Sequence, residues 1–437
     1  MTATMVSVIG IVLSLAFLIT LALKGWHIII IAPLAVCVVS LFSGLNPFTE
    51  LTGPYMKGFV NYAFKFYLVF LTGSLFGKFI EDSGAAQSIA QGLIKVLGTN
   101  SQAKAMWAIA VICMVFTYGG VSLFVALFAI IPIARPVFKQ LDIPWHLFVA
   151  VQGLGLTAIT MTVLPGSPAI QNIIPTKYLG TTPMAGAPIG IIAAIVILIF
   201  NFFYIKRQLK KAHKKQEGYA LTGGNDTALS KTEFNGDLPP VGICLIPLVV
   251  VIVLLNVFSL DVVIALTGGI VTCAVLFWKK YINILKTINQ GALNTVVPVI
   301  NTCADVGYGM AVAATVGFAF ISSELVNMGG NPILSLAVGT NLMAAITGSA
   351  SGGLGIVMEV LAPTYLNLGL SPELVHRIAA IAAGCCDAMP HNGGVITMLA
   401  LTGLTHAQGY RHIFWAHIVA TLCALCIVIP IGIMIYG

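Results

Sequence analysis

The stretch TGSASGGLG, residues 347–355, lies inside an apolar run from 333 to 368. Without it the run would read as one long membrane helix. The glycines and small hydroxyl residues split it into arms of about 15 residues, shorter than the ~20 that cross a bilayer. Arms of that length suit a re-entrant helical hairpin. A second run, 105–134, is split in the same way at Gly119-Gly120. Two further apolar segments, 145–176 and 375–401, are interrupted by LPGSPAI (164–170) and MPHNGG (389–394). These four discontinuities decide the fold, because lipid satisfies no exposed amide or carbonyl. Broken backbone at membrane depth has to face protein or a water-filled cavity.

The surrounding chain requires a bilayer. Of 437 residues, 58% are hydrophobic and only 8% charged, and the mean hydropathy is +1.00. A soluble chain carries about 25% charged residues, so lipid must cover most of the surface. The expectation is an all-α polytopic membrane protein, and a soluble enzyme, a nucleic-acid binder and a secreted disulfide scaffold are excluded. The net charge of +7 is concentrated in Lys206, Arg207, Lys210, Lys211, Lys214 and Lys215, directly after an apolar segment. That placement is a topology signal holding the loop in the cytoplasm. The nine cysteines, Cys37, Cys113, Cys244, Cys273, Cys303, Cys385, Cys386, Cys423 and Cys426, all fall in apolar segments and read as small buried hydrophobes. Cys423 and Cys426 have the spacing of half a metal site without a second half, so no metal and no cofactor is expected.

Full spans are expected at 5–23, 26–43, 62–80, 145–176, 186–205, 240–258, 262–278, 294–321, 375–401 and 412–435, with amphipathic stretches at 46–60 and 279–293. The first span lacks a basic leader and is long enough to cross, so it reads as a span and not a signal peptide. With 206–238 in the cytoplasm and both hairpins returning to their own side, both termini fall outside. Of the 21 basic residues, Lys231 among them, all but Lys57, Lys65, Lys177 and Arg377 then lie inside, as the positive-inside rule requires. Each half has five crossings, one of them interrupted, and one hairpin. Five is odd, so the second half enters the membrane upside down. The chain thus divides into a first inverted-topology repeat (1–205), a cytoplasmic linker (206–238) and a second repeat (239–437). Paired broken segments in inverted repeats point to a secondary transporter.

Helix N-termini at such breaks offer free N–H groups and partial positive charge, which suits a small anion without a buried base. The sequence places no Lys or Arg at any of the four. Candidate substrate-binding residues are Gly119, Gly120 and Ser122 at the first tip, with Thr117 and Tyr118 beside them, and Gly166 and Ser167 at the first interruption. Thr347, Ser349 and Ser351 are candidates at the second tip, and His391 and Asn392 at the second interruption. Small residues also mediate tight helix packing, but four matched clusters, two with proline, favour a site. Ionisable groups inside spans usually serve a pathway or relay. Asp387 and His391 lie about one turn apart at the second break and form the leading proton-coupling pair. Glu359 and Asp305 are further candidates, and His417 reads as a packed or lipid-interface histidine.

The stretch FGKFIEDSGAAQSIA (76–90) closely resembles the end of the third span in the gluconate permease family, the gluconate:proton symporters of the ion transporter superfamily. Looser matches in the same order are GGVSLFVALFAIIPIARP (119–136), PGSPAI (165–170), TGSASG (347–352) and AAGCCDAMPHNGG (382–394), and the resemblance spans nearly the whole chain. It implies an inner-membrane symporter that takes sugar acids and smaller hydroxy acids inward with protons, as a dimer with an elevator-like movement. Its partners would be a small organic anion, a proton and the bilayer, with no nucleic acid. Gluconate-type members carry more His and Pro at LPGSPAI and a serine-histidine stretch with Asn-Asp at MPHNGG. Here both breaks carry fewer polar groups. Each unmade hydrogen bond to a buried hydroxyl costs roughly 1–3 kcal/mol, which favours a short acid such as 3-hydroxybutyrate over gluconate. Glu81 and Asp82 match the family motif and read as caps for the turn at Ser83-Gly84. Sodium coupling is the alternative drive. A channel would need a continuous polar stripe, and an enzyme a Ser/His, zinc or phosphate motif, and the sequence has none of these.

Overall fold

The computed structural model describes residues 2–24, 26–97, 101–121, 123–223, 237–326 and 331–436. Ser122, a candidate site residue, and Lys231, counted in the charge bias, lie outside the described residues. Every regular element among the described residues is helical.

The first half runs α1 (Ala3–Leu23), α2 (Ile28–Phe42), α3 (Pro47–Asp82), α4 (Ala85–Leu97), α5 (Gln102–Tyr118), α6 (Leu123–Gln140), α7 (145–158), α8 (Ile170–Leu179) and α9 (Ala187–Lys215). The second runs α10 (Val241–Asn256), α11 (Val262–Leu276), α12 (Ile284–Ala313), α13 (Val316–Val326), α14 (Pro332–Thr347), α15 (350–367), α16 (Pro372–Ala383), α17 (Gly393–Thr402) and α18 (His406–Tyr436). A single turn, Tyr219–Thr222, precedes the segment between the halves.

Among the described residues five helices, α1, α3, α9, α12 and α18, are long and apolar enough to cross a membrane. Several expected boundaries are corrected. The amphipathic stretch 46–60 and the span 62–80 are one continuous helix. Asn46 caps it by accepting from the Phe48 and Thr49 N–H groups, Pro47 fills the first turn, and a π-helical turn at Leu51–Tyr55 absorbs Pro54. The stretch 279–293 likewise continues into α12, capped by Asn283, and that helix ends at Ala313 instead of 321. The spans expected at 26–43, 240–258 and 262–278 are helices of 15, 16 and 15 residues. Of the cysteines, Cys113, Cys244, Cys273, Cys303 and Cys385 are buried as expected, but Cys426 is exposed.

The packing is reciprocal between halves. Helices α3 and α12 pack on each other at the centre. Helix α2 packs on α12 and α11 on α3, while α1 packs on α13 and α10 on α4. On the other side α5 packs on α7 and α14 on α16, and the last helices of the two halves, α9 and α18, pack together. At the end of α3, Lys78 pairs with Glu81 at 3.3 Å and Asp82 at 2.8 Å, and Thr287 of α12 donates to Asp82 at 2.7 Å. Asp82 therefore joins the two central helices instead of only capping a turn.

Candidate functional site

All four discontinuities are present, and each follows from local chemistry. Helix α5 ends at Tyr118, and Gly120 takes φ +96°. Helix α14 ends at Thr347, and Gly348 takes φ +60°, the left-handed conformation that glycine adopts without a Cβ penalty. Ser349 then caps α15, accepting from the Gly352 N–H at 3.1 Å, and Asn392 caps α17, accepting from the Val395 N–H at 2.7 Å.

Each tip lies against a break. A β-carbon added at Gly120 would stand 3.0 Å from Cγ of Pro168, and one at Gly348 would stand 2.6 Å from Cδ2 of His391. A hydrogen bond joins each pair. The Tyr118 hydroxyl donates to the Pro165 carbonyl at 3.1 Å, and Asn392 Nδ2 donates to the Gly348 carbonyl at 2.6 Å. The two pairs also touch, since a β-carbon on Gly394 would lie 3.3 Å from Leu123 at the start of α6, and α15 packs on α8 just past the first break. The fold therefore brings Gly119, Gly120, Gly166, Ser167, Thr347, Ser349, Ser351, His391 and Asn392 into one region.

Within that region the polar groups differ in how far they are used. Thr347 donates to backbone carbonyls, Ser349 caps α15, and both ends of the Asn392 amide are bonded. Among the described residues His391 is 6% exposed, with the Ala345 and Ile346 carbonyls beside its ring but no well-formed hydrogen bond on either nitrogen, and the buried Ser167 hydroxyl is unpartnered. Tyr62 of α3 was not singled out by its sequence context. Its ring packs on Gly355 in α15, and its buried hydroxyl is turned toward Ser351. No spacing rule links residue 62 to 355.

Arg377 changes the electrostatic picture. No basic residue sits at a break in the sequence, yet the fold carries this fully buried side chain from α16 to the loop around the first break. Its guanidinium donates to the carbonyls of Ala185 at 2.9 Å, Pro183 at 3.0 Å and Val163 at 3.4 Å. The same loop is fastened by Asn256 to the Gly166 carbonyl at 2.8 Å, by Asn172 to the Ser167 carbonyl at 2.9 Å, and by the Gly166 N–H to Pro183 at 2.9 Å.

The three intramembrane acids have separate surroundings. Glu359 lies in a π-helical turn, Val357–Leu361, and both its oxygens are taken. Asn61 donates at 3.0 Å, Lys65 pairs at 2.9 Å and the Tyr178 hydroxyl donates at 2.7 Å, with the Lys65 ammonium 4.0 Å above the Tyr178 ring. Asp305 is buried beside Gly352, without an ion-pair partner among the described residues. Asp387 pairs with His417 at 3.0 Å. No ion pair joins it to His391 among the described residues, as His391 lies against the second tip. His417 is packed, as its apolar helix suggested, but it packs against polar partners.

The profile of the GntP family permease matches residues 3–280. A transporter of Bacillus subtilis (strain 168), the uncharacterized YxjC, is 32% identical over 96% of this chain and 97% of its own. The chain belongs to the GntP permease family. A transporter of Haemophilus influenzae (strain ATCC 51907 / DSM 11121 / KW20 / Rd) is 28% identical over 76% of this chain and 77% of its own. The solved YdaH transporter of Alcanivorax borkumensis is similar with a TM-score of 0.47 and 14% identity, over 89% of this chain and 88% of that one. This GntP permease is thus a multi-pass membrane transporter and not an enzyme.

Proposed function

We propose that this GntP permease imports a small hydroxymonocarboxylate together with protons by an elevator-like alternating-access movement. In this reading residues 1–205 and 239–437 are inverted repeats, α5–α6 and α14–α15 are re-entrant hairpins, and 206–238 is a cytoplasmic linker. The protein is an inner-membrane homodimer with both termini outside. The reciprocal packing of the halves supports the repeat, since a two-fold relation demands that every contact between unlike elements recur with the halves exchanged.

The observation that carries the reading is the meeting of both tips with both breaks. Helices α15 and α17 begin there, capped by Ser349 and Asn392, so their first N–H groups gather where an anion is stabilised. The substrate carboxylate is assigned to these helix starts, with Gly119, Gly120, Gly166, Thr347 and Ser349 shaping the cradle. Its hydroxyl is assigned to His391, Ser351 and Ser167. Few side-chain groups remain unspent. A long polyol would bring hydroxyls that find no partner, at roughly 1–3 kcal/mol each, and this supports a short acid over a sugar acid. Carrying one charge against 100 mV costs about 2.3 kcal/mol, and co-transport of a proton makes import of a monoanion electroneutral.

Purified protein in proteoliposomes tests this with counterflow of labelled 3-hydroxybutyrate. Competition by short hydroxy acids ahead of gluconate supports the substrate class, and the reverse order overturns it. Uptake that follows a sodium gradient at fixed pH and ignores a proton gradient would sink the proton assignment.

A further inference from the structure

Asp387 and His417 stand 30 residues apart on different elements, yet their side chains meet at the second break. The His417 ring is fully buried and faces acceptors on both nitrogens. Nδ1 points to the Gly153 carbonyl at 3.2 Å, and Nε2 to the Gly384 carbonyl at 2.6 Å and to Asp387 Oδ1 at 3.0 Å. A neutral imidazole carries one hydrogen and would turn its other lone pair on a carbonyl oxygen. An imidazolium donates from both nitrogens and satisfies both sides. The arrangement is built for the charged ring with a carboxylate beside it.

Both helices at this contact are widened. His417 lies in a π-helical turn, Phe414–Val419, and Gly153 opens another, Gly153–Ala158. Such turns concentrate at functional sites because they re-aim a side chain or free a carbonyl. Two buried amides flank the contact. Asn201 donates to the Ala416 carbonyl at 2.9 Å while its oxygen is unpartnered, and neither polar atom of Gln152 has a partner among the described residues. Other titratable groups near the pair are Cys385 and Cys386 at the break and Tyr410 on α18. Further along α18, His412 binds the Tyr204 hydroxyl of α9 at 2.9 Å and stacks on His146 in the first turn of α7, with Arg411 adjoining.

We propose that the Asp387–His417 pair is the proton-carrying site of the transport cycle. This rests on the carboxylate reading above and assigns its proton to named atoms. The pair holds one exchangeable proton on the imidazole. Protonated, it is an imidazolium with a carboxylate and has no net charge. When the Nε2–H bond breaks and the proton leaves to water, the pair is left as a neutral imidazole with a carboxylate, at net −1. A substrate anion binds beside the neutral pair and is repelled by the anionic one. The loaded carrier and the empty, deprotonated carrier then both cross with the same charge, and one proton enters per anion. Loss of the proton also sets the bare nitrogen against the Gly384 carbonyl. That is felt directly at the break, because Asp387 lies three residues before Pro390, whose carbonyl accepts from His406 at 2.9 Å.

Proteoliposomes carrying wild-type, His417→Gln or Asp387→Asn protein separate coupling from binding. The expected result is that Asp387→Asn, which holds no fixed negative charge, keeps labelled-substrate counterflow within about threefold of wild type, whereas His417→Gln, left with an uncompensated carboxylate, loses it by more than about tenfold at neutral pH. Both lose proton-driven accumulation by more than about tenfold, and the pH dependence of their exchange flattens. A His417→Gln variant that accumulates substrate on a proton gradient at the wild-type proton-to-substrate ratio overturns the assignment. If either variant is not monodisperse in detergent, the wild type decides, with substrate binding measured in weakly buffered solution with a pH indicator. Proton uptake on binding supports the pair, and binding with no proton uptake anywhere across the neutral range overturns it. A wild type that exchanges no short hydroxy acid fails at the earlier step, sinking the substrate reading and this inference together.

Discussion

The two places where a hairpin tip meets an interrupted helix are built alike and furnished differently. At the first, the carbonyls of Val163, Pro165, Gly166, Ser167, Pro183 and Ala185 all have a side-chain donor, and one of the donors is a buried arginine. At the second, a titratable ring lies beside the tip against the Ala345 and Ile346 carbonyls without a well-formed hydrogen bond, and an acid four residues earlier is held by a second histidine. The first break has its carbonyls tied and keeps the Ser167 hydroxyl in reserve, whereas the second keeps a titratable ring. A two-fold arrangement does not oblige both halves to do the same work. In the proposed reading both breaks line the ligand, and the proton chemistry falls to the second.

Replacing Arg377 by methionine is the most severe way to break this comparison. The carbonyls of Val163 and Ala185 lose their donor, each at roughly 1–3 kcal/mol, while that of Pro183 keeps the Gly166 N–H and Asn172. The expected outcome is a large drop in melting temperature in detergent together with loss of counterflow. Thermal stability equal to wild type would mean that the first break is not locked by that side chain.

Alanine at the two tip glycines comes next. Both have positive φ, which costs a residue with a β-carbon about 1–2 kcal/mol. Gly348→Ala also drives a methyl into His391, at 2.6 Å, whereas Gly120→Ala meets Pro168 at 3.0 Å. Substrate binding should fall more than about tenfold in the first variant and by less in the second. Equal loss of binding at matched stability would erase the proposed division of labour.

Smaller effects should come from the paired tip-to-break hydrogen bonds. Asn392→Ala removes a helix cap and a tie to Gly348, about 1–2 kcal/mol together. Tyr118→Phe removes one bond, worth about 1 kcal/mol. Affinity measured by calorimetry should fall for the first and hold for the second.

The smallest effect lies away from both breaks. Asp261, between α10 and α11, is partly buried, which acts to raise its carboxyl pKa. The Lys177 ammonium at 2.7 Å and the Val263 N–H outweigh that and hold it below the usual range. The pair therefore adds stability above the ordinary carboxylate pKa and loses it as pH falls through the lowered value. Both side chains are well exposed, so Asp261→Asn should change stability by less than about 1 kcal/mol, and only above that range. A pH-stability scan of the two proteins checks the sign.

The discontinuities were legible because glycine, proline and small hydroxyl residues leave a mark wherever an apolar run is cut, and those marks fell on the right residues at Gly120, Pro168, Gly348 and Asn392. What fills the space between them was not legible. Arg377 reads in sequence as one more charge on the outer side, because nothing in its neighbourhood names carbonyls 192 or more residues earlier. His417 reads as a packed or lipid-interface histidine until Asp387 is brought to it. The continuous α3 was split in two because its start is amphipathic, and a π-helical turn hides the usual penalty of Pro54. Local punctuation survives in a linear reading, whereas a pairing made by tertiary packing leaves no period or spacing to find.

The arginine that fastens the first break also sets an order of assembly. Its acceptors all lie before residue 186, and it belongs to the opposite half. A nascent chain arrested before the second half would hold a first half with the carbonyls of Val163 and Ala185 short of their donor. Each half is therefore the other's chaperone, and genes split between residues 223 and 237 should yield stable protein only when both fragments are made in the same cell.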